Sequence, residues 1–213
     1  HENGADYLGE NSGALCWAAN DGHLEVVKWL VELGIPISGE GLNEDTRPLF
    51  NGIQGGNIEV FDFLLAQGAD PRETYWKGAS LPIHSAIFTD QIETVRLFCQ
   101  HHTIGETINQ GASLDISGPH GEEECEDNVT PLMLAVINES SEITRLLIKN
   151  GADPNVIDDS GRTALDYASR DTNTDLMGIL LSAGADPNLE GPDGQTPLSR
   201  SIGELISKRE ELH

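Results

Sequence analysis

The 213 residues carry 36 Asp and Glu against 12 Lys and Arg, a formal net charge of −24, and a field of that sign repels nucleic acid and anionic lipid, both of which are held by cations. It favours a basic protein, peptide or cation. Three cysteines, Cys16, Cys99 and Cys125, are too few for a disulfide framework, and no apolar run approaches the ~20 residues that cross a bilayer, so the expected setting is intracellular, cytoplasmic or nuclear, with no membrane contact.

The chain begins at His1, and Gly4-Ala-Asp6 reads as the end of an earlier repeat, which suggests a fragment of a longer array. From there one phrase recurs six times: Gly13-Ala-Leu-Cys-Trp-Ala18, Arg47-Pro-Leu-Phe-Asn-Gly52, Leu81-Pro-Ile-His-Ser-Ala86, Thr130-Pro-Leu-Met-Leu-Ala135, Thr163-Ala-Leu-Asp-Tyr-Ala168 and Thr196-Pro-Leu-Ser-Arg-Ser201. Its starts fall 34, 34, 49, 33 and 33 residues apart. A second phrase begins 21 residues after four of them, at Gly34-Ile, Gly68-Ala-Asp-Pro, Gly151-Ala-Asp-Pro-Asn and Gly184-Ala-Asp-Pro-Asn.

Each period predicts a helix pair. In the fifth, Asp158 to Gly161 supply a turn, Thr163 caps the first helix through its hydroxyl, and Leu176, Ile179 and Leu180 mark the buried stripe of a second. Gly184 ends that helix, because glycine enters the left-handed conformation without steric penalty, and Pro187 prevents continuation. The fourth period repeats the logic with Thr130, Pro131, Ile143, Leu146, Leu147 and Gly151. A period of roughly 33 with a Thr-Pro-Leu-His-x-Ala phrase resembles the ankyrin repeat family. The resemblance implies an all-α solenoid of stacked helix-turn-helix units joined by β-hairpin loops, with five full repeats and a partial sixth in one domain over residues 1–213. It also places His84 in a structural role, and Trp17, Leu134 and Tyr167 at one first-helix position expected to pack between repeats. Trp29, on a second helix, is expected in the core or on the convex surface. Asn155 stands in a context similar to asparagines that are hydroxylated in some members.

Repeats two and three depart from the pattern. Arg47 and Leu81 stand where the capping Thr belongs and cannot accept a bond from free helix N–H groups, at a cost of about 1 kcal/mol each. Gly52, Gly55 and Gly56 add about 1 kcal/mol apiece wherever the backbone is helical, so repeat two is expected to be the softest.

The interval of 49 exceeds the period by 16 residues. With Gly111 as the helix-ending glycine, about nine of them extend the second helix of repeat three or its exit, and about seven lengthen the hairpin before Thr130, which puts an insertion near residues 101–128. From Leu97 to Thr144 there is no Lys or Arg, while Glu122, Glu123, Glu124, Glu126 and Asp127 crowd together. This run is either a solvated loop or a docking surface for a basic segment. His101, His102, His120 and Cys125 show no recognised metal-ligand spacing, so no metal or cofactor is expected.

The family resemblance implies a ligand surface along the hairpin tips and the ends of the first helices. Phe88 and Ile137 put apolar groups there, beside Asn138 and Arg170, and Tyr75, Trp76 and Lys77 sit on the preceding hairpin; these apolar groups either meet a ligand or cover the inserted segment and the neighbouring hairpin. Aromatic residues of this kind are enriched in binding hot spots. The first reading is therefore a protein-interaction module for a basic or amphipathic segment. A second is a small apolar ligand in a central aromatic groove, with Glu126, Asp127 or His120 moving a proton. A third is a structural spacer of a larger protein. No catalytic motif is present to favour an enzyme.

Overall fold

The computed structural model describes residues 6–38, 47–74, 81–100, 104–115, 125–170, 173–191, 194–199 and 202. The chain divides into two compact units, His1–Thr103 and Ile104–His213.

The first unit holds three helix pairs: α1 (Asp6–Asn20) with α2 (Leu24–Glu32), α3 (Pro48–Gln54) with α4 (Ile58–Ala66), and α5 (Pro82–Phe88) with α6 (Ile92–Gln100). First helices pack on first helices, α1 on α3 and α3 on α5, and second helices follow suit. The second unit contains a one-turn helix α7 (Ile104–Thr107), strands β1 (Ala112–Asp115) and β2 (Cys125–Val129), then α8 (Pro131–Ile137) with α9 (Ser141–Lys149) and α10 (Ala164–Arg170) with α11 (Thr174–Ser182). Its pairs stack in the same way, α8 on α10 and α9 on α11.

The recurring phrases are explained residue by residue. At the end of the second helices Gly34, Gly68, Gly151 and Gly184 all have φ between 83° and 95°. The amide that follows each donates five residues back, as from Ala152 to the Leu147 carbonyl at 3.1 Å, which closes the helix end. Asp70, Asp153 and Asp186 then each accept from the backbone N–H two residues on, at 2.9 Å. The fifth residue of the phrase reaches the next repeat. Asn155 accepts from the Asp186 N–H at 2.8 Å and donates to the Gly184 carbonyl at 3.0 Å, and Ser38 accepts from the Asp70 N–H at 3.3 Å.

That clasp locates the extra residues. Asn109 accepts from the Asp153 N–H at 2.8 Å, so it fills the place of Ser38 and Asn155. Ser38 lies 25 residues after Gly13 and Asn155 lies 25 after Thr130, whereas Asn109 lies 28 after Leu81. Only three residues of the excess therefore precede the clasp, and 13 follow it. The expected division into nine and seven is wrong because Gly111 does not end a helix. The second helix of repeat three, α6, is described as far as Gln100, and Gly111 is not among the glycines with positive φ, unlike Gly34, Gly68, Gly151 and Gly184. Gly111 instead leads into β1, where a Cβ would overlap the backbone and side chain of Asn128. The excess builds an antiparallel β1–β2 ribbon, with Ala112 opposite Val129 and Asp115 opposite Cys125 and an irregularity in the register between Ala112 and Leu114. Asn128, at φ 63°, is one of three non-glycine residues with positive φ among the described residues.

Helix starts differ as expected. Thr130 accepts from the Met133 N–H at 3.3 Å, and Thr163 from the Asp166 N–H at 3.3 Å. The Asp166 carboxylate takes bonds in return from the Thr163 N–H and hydroxyl, each at 2.9 Å. Arg47 and Leu81 make no side-chain cap. Arg47 pairs with Glu73 at 2.8 Å, both side chains being 20% exposed, and Leu81 is buried. Of the three glycines of repeat two only Gly52 is helical. Gly55 and Gly56 belong to the turn after α3, Gly56 at φ 68°, and a Cβ on Gly55 would overlap the Asn20 carbonyl. The penalty expected of them does not apply.

Candidate functional site

The inner turns, between the first and second helix of each pair, are built to a common plan. The turn needs a left-handed residue, supplied by Gly22 at φ 74°, Gly56 at 68°, Asp90 at 54° and Glu139 at 55°. Repeats three and four thus hold a carboxylate in a conformation that L-residues resist. Polar side chains just beyond these turns tie neighbouring repeats together: Asn57 donates to the Asn20 carbonyl at 2.6 Å and Gln91 to the Ile53 carbonyl at 2.5 Å. These bonds fix the spacing at which the first-helix ends are presented.

In the first unit those ends carry Asn20 and Asp21, Gln54, then Phe88 and Thr89. Gln54 donates to Ser85 at 3.0 Å across the α3–α5 contact. Phe88 ends α5 with its ring 69% exposed, although Pro82 to Ile87 of the same helix are all buried. Asp90 follows two residues later and is exposed. In the second unit Ile137 and Asn138 end α8, and Arg170 ends the neighbouring α10. All three are half-buried. The Asn138 N–H is held at the helix end by the Leu134 carbonyl. Ile137 is thus less exposed than Phe88 at the matching position, although the same left-handed turn follows both.

Tyr75, Trp76 and Lys77 lie outside the described residues, as do Glu122, Glu123 and Glu124. Glu126 and Asp127 lie on β2, with Glu126 opposite Leu114 of β1. Among the described residues no cluster of His, Cys, Asp and Glu could hold a metal ion. Cys16 and Cys99 are buried free thiols. Burial pushes Cys16 up to about 12 and Cys99 up to about 11, the Arg96 charge drawing Cys99 part of the way back. Both pack in the core, at 5% and 8% exposure.

Two further features escape the sequence reading. Between α9 and α11 runs an open groove of about 510 Å3, floored by Ile148 and Ile179 and flanked by Arg145, Lys149 and Ser182. Asp175 crosses its rim, accepting from Ser141 at 3.0 Å and facing Arg145 at 3.7 Å. The signal was Gly178, which stands where the other second helices have Lys28, Asp62, Arg96 and Arg145. The second feature is aromatic. Leu134 and Tyr167 are buried at their shared first-helix position as expected, but Trp17 at the same position is 72% exposed.

Family models described as ankyrin repeats match residues 77–156 and 110–191, in the three-copy form, and 15–65, in the many-copy form. A putative ankyrin repeat protein of fowlpox virus is 39% identical over 177 residues, 80% of this chain and 47% of that protein. Alpha-latrocrustotoxin-Lt1a of Latrodectus tredecimguttatus is 26% identical over 145 residues, 68% of this chain and 9% of the toxin. The chain spans less than half the length of these curated relatives. Among solved structures, an ankyrin repeat domain from Acinetobacter baumannii superposes with a TM-score of 0.71 at 23% identity, covering 93% of this chain and 95% of that one. A chain from the complex of a Bdellovibrio bacteriovorus predatory endopeptidase with an immunity protein gives 0.72 at 22% identity, covering 91% of this chain and 93% of that one. These matches agree with the paired helices, the left-handed glycines and the clasping asparagines: the chain belongs to the ankyrin repeat family.

Proposed function

We propose that this chain is a protein-interaction module that takes a basic or amphipathic segment of a protein partner on the ends of its first helices, with the acidic insertion contributing charge. Ankyrin repeats are generally protein–protein interaction modules, and the Bdellovibrio complex pairs two proteins. The observation that carries the reading is Phe88. A phenyl ring 69% exposed at the end of a helix whose preceding six residues are buried loses contact area in water that a partner restores, and aromatic residues fixed on a rigid element make strong anchors. Asp21 and Asp90, exposed on the inner turns of the same unit, and the net charge of −24 favour cationic flanks around an apolar residue. The same reading assigns partner contacts to Tyr75, Trp76 and Lys77 in the first unit and, separately, to Ile137, Asn138, Arg170, the run Glu122 to Glu124, and Glu126 and Asp127 in the second. The catalytic alternative draws on Glu126, Asp127 and His120, none of whose side chains is described.

Affinity capture from lysate with wild type and Phe88→Ala, each at about 50 and about 500 mM salt, tests this reading. A protein partner retained by wild type, lost with Phe88→Ala at an unchanged melting temperature, and weakened by salt is the expected result. Equal capture by both proteins removes Phe88 from the surface. Capture that is indifferent to salt removes the basic partner.

A further inference from the structure

The first helix pair shows to solvent a face that later pairs bury. Val26, Val60, Thr94 and Leu176 hold the third place of their second helices, and Trp29, Phe63, Leu97 and Ile179 the sixth. Val60, Thr94, Leu176 and Ile179 are buried and Phe63 and Leu97 half-buried, because α2 packs on α4, α4 on α6 and α9 on α11. Val26 is 44% and Trp29 58% exposed, and Leu33, further along the same stripe at i, i+3, i+7, is 59% exposed. Trp17 repeats the contrast on the first helix. At 72% exposure it matches the half-buried Asn51, Ser85 at 8% and Tyr167 at 6%, all on helices that pack on the first helix of an earlier or later pair.

We propose that Trp17, Val26, Trp29 and Leu33 form an inter-repeat surface made to be covered by a further ankyrin-type helix pair joined in tandem ahead of Gly13. The later repeats define the occupant's chemistry. What covers this face elsewhere is a neighbouring helix pair, and the first pair shows what such a pair buries: short aliphatic residues such as Leu15, Ala19, Val27 and Leu30. A repeat that ends an array carries a polar outer face, and two tryptophans with a valine and a leucine are the reverse of that. A second copy of the chain is disfavoured by charge, since each copy carries −24. The surface is distinct from the first-helix ends proposed for partner binding, so either reading can fail alone.

The test replaces residues 1–12 with a second copy of residues 130–162, one full period that runs in register into Gly13, in a Trp76→Phe background so that emission reports Trp17 and Trp29. The expected result is a blue-shifted emission, severalfold weaker quenching by acrylamide, and a melting temperature several degrees above the parent. Trp29→Asp is expected to leave the parent's melting temperature within about 2 °C and to abolish the gain in the extended protein. Tryptophans as quenchable in the extended protein as in the parent overturn the proposal. So does an added segment that contributes no helix by circular dichroism, both with residues 130–162 and with residues 47–80 as the inserted copy. Shielding of the parent's own tryptophans as its concentration rises would assign the face to a second copy and also overturn it.

Discussion

At Leu81 two residue-level effects of opposite sign compete. A threonine there would cap α5, worth about 1 kcal/mol, but Leu81 is 1% exposed, and shortening a buried leucine costs about 2 kcal/mol or more. Burial wins. Leu81→Thr, which restores the family phrase, is expected to lower stability in denaturant melts; a gain would show that the cap dominates. The reverse holds at the left-handed turns, where Glu139 at φ 55° bears a strain that glycine does not. Glu139→Gly is expected to stabilise by about 0.5–1 kcal/mol, and Asp90→Gly by less because aspartate tolerates this region better. A loss at both positions would mean that their carboxylates make contacts worth more than the strain. The buried thiols give a pH dependence whose sign follows from their shift. An unfolded cysteine releases its proton above its ordinary 9.0, but the folded Cys16 keeps it until about 12 and Cys99 until about 11. Stability from this source is complete below pH 9 and falls as pH rises through that window. The melting temperature should therefore drop less between pH 8 and pH 10.5 in Cys16→Ala than in wild type; parallel curves would reject the linkage.

At the scale of elements, the repeats with both phrases intact were fully legible in the sequence, down to the hydroxyl of Thr163 and the φ of Gly184. Those signals are local: a cap, a stripe and a left-handed glycine act within a few residues of themselves. The insertion was misread because its register is regained through a contact between repeats, the Asn109 bond to the Asp153 N–H, and Gly111 copies the local signal of a helix end without performing it. Exposure was equally out of reach. Trp17, Leu134 and Tyr167 share one position in the phrase, yet only the packing of neighbours separates 72% exposure from 1% and 6%. The softness of repeat two survives in reduced form. Of its three glycines, Gly52 alone weakens a helix, and a Cβ there would meet Val60 at an ordinary 3.5 Å. Gly52→Ala is expected to raise stability by up to about 1 kcal/mol and Gly55→Ala to lower it. Amide exchange should be faster in α3, which has no side-chain cap and a helical glycine, than in α10, whose start is closed by reciprocal bonds between Thr163 and Asp166. Equal protection would show that stacking, not local propensity, sets repeat stability.

Across the whole molecule one physical quantity acts on stability and recognition with opposite sign. The −24 charge makes compaction of the chain electrostatically unfavourable, and ions screen that repulsion over a Debye length of about 10 Å at 0.1 M. The exposed ion pairs oppose the trend only weakly: Lys28–Glu25, Arg72–Asp70 and Arg96–Glu93 are worth little each. Raising sodium chloride from about 20 to about 500 mM is therefore expected to increase the melting temperature. The same salt weakens attraction to a basic partner, so affinity should fall while the protein itself grows more stable. That divergence separates a charge-driven interface from a salt-induced loosening of the scaffold, since the latter would lower both. Phe88→Ala divides the interface further, because removing an exposed ring takes away apolar area and leaves the charge in place. Its binding curve is expected to lie below that of wild type at every salt concentration, with the same slope against the logarithm of salt. A changed slope would mean that Phe88 positions the carboxylates instead of contacting the partner itself.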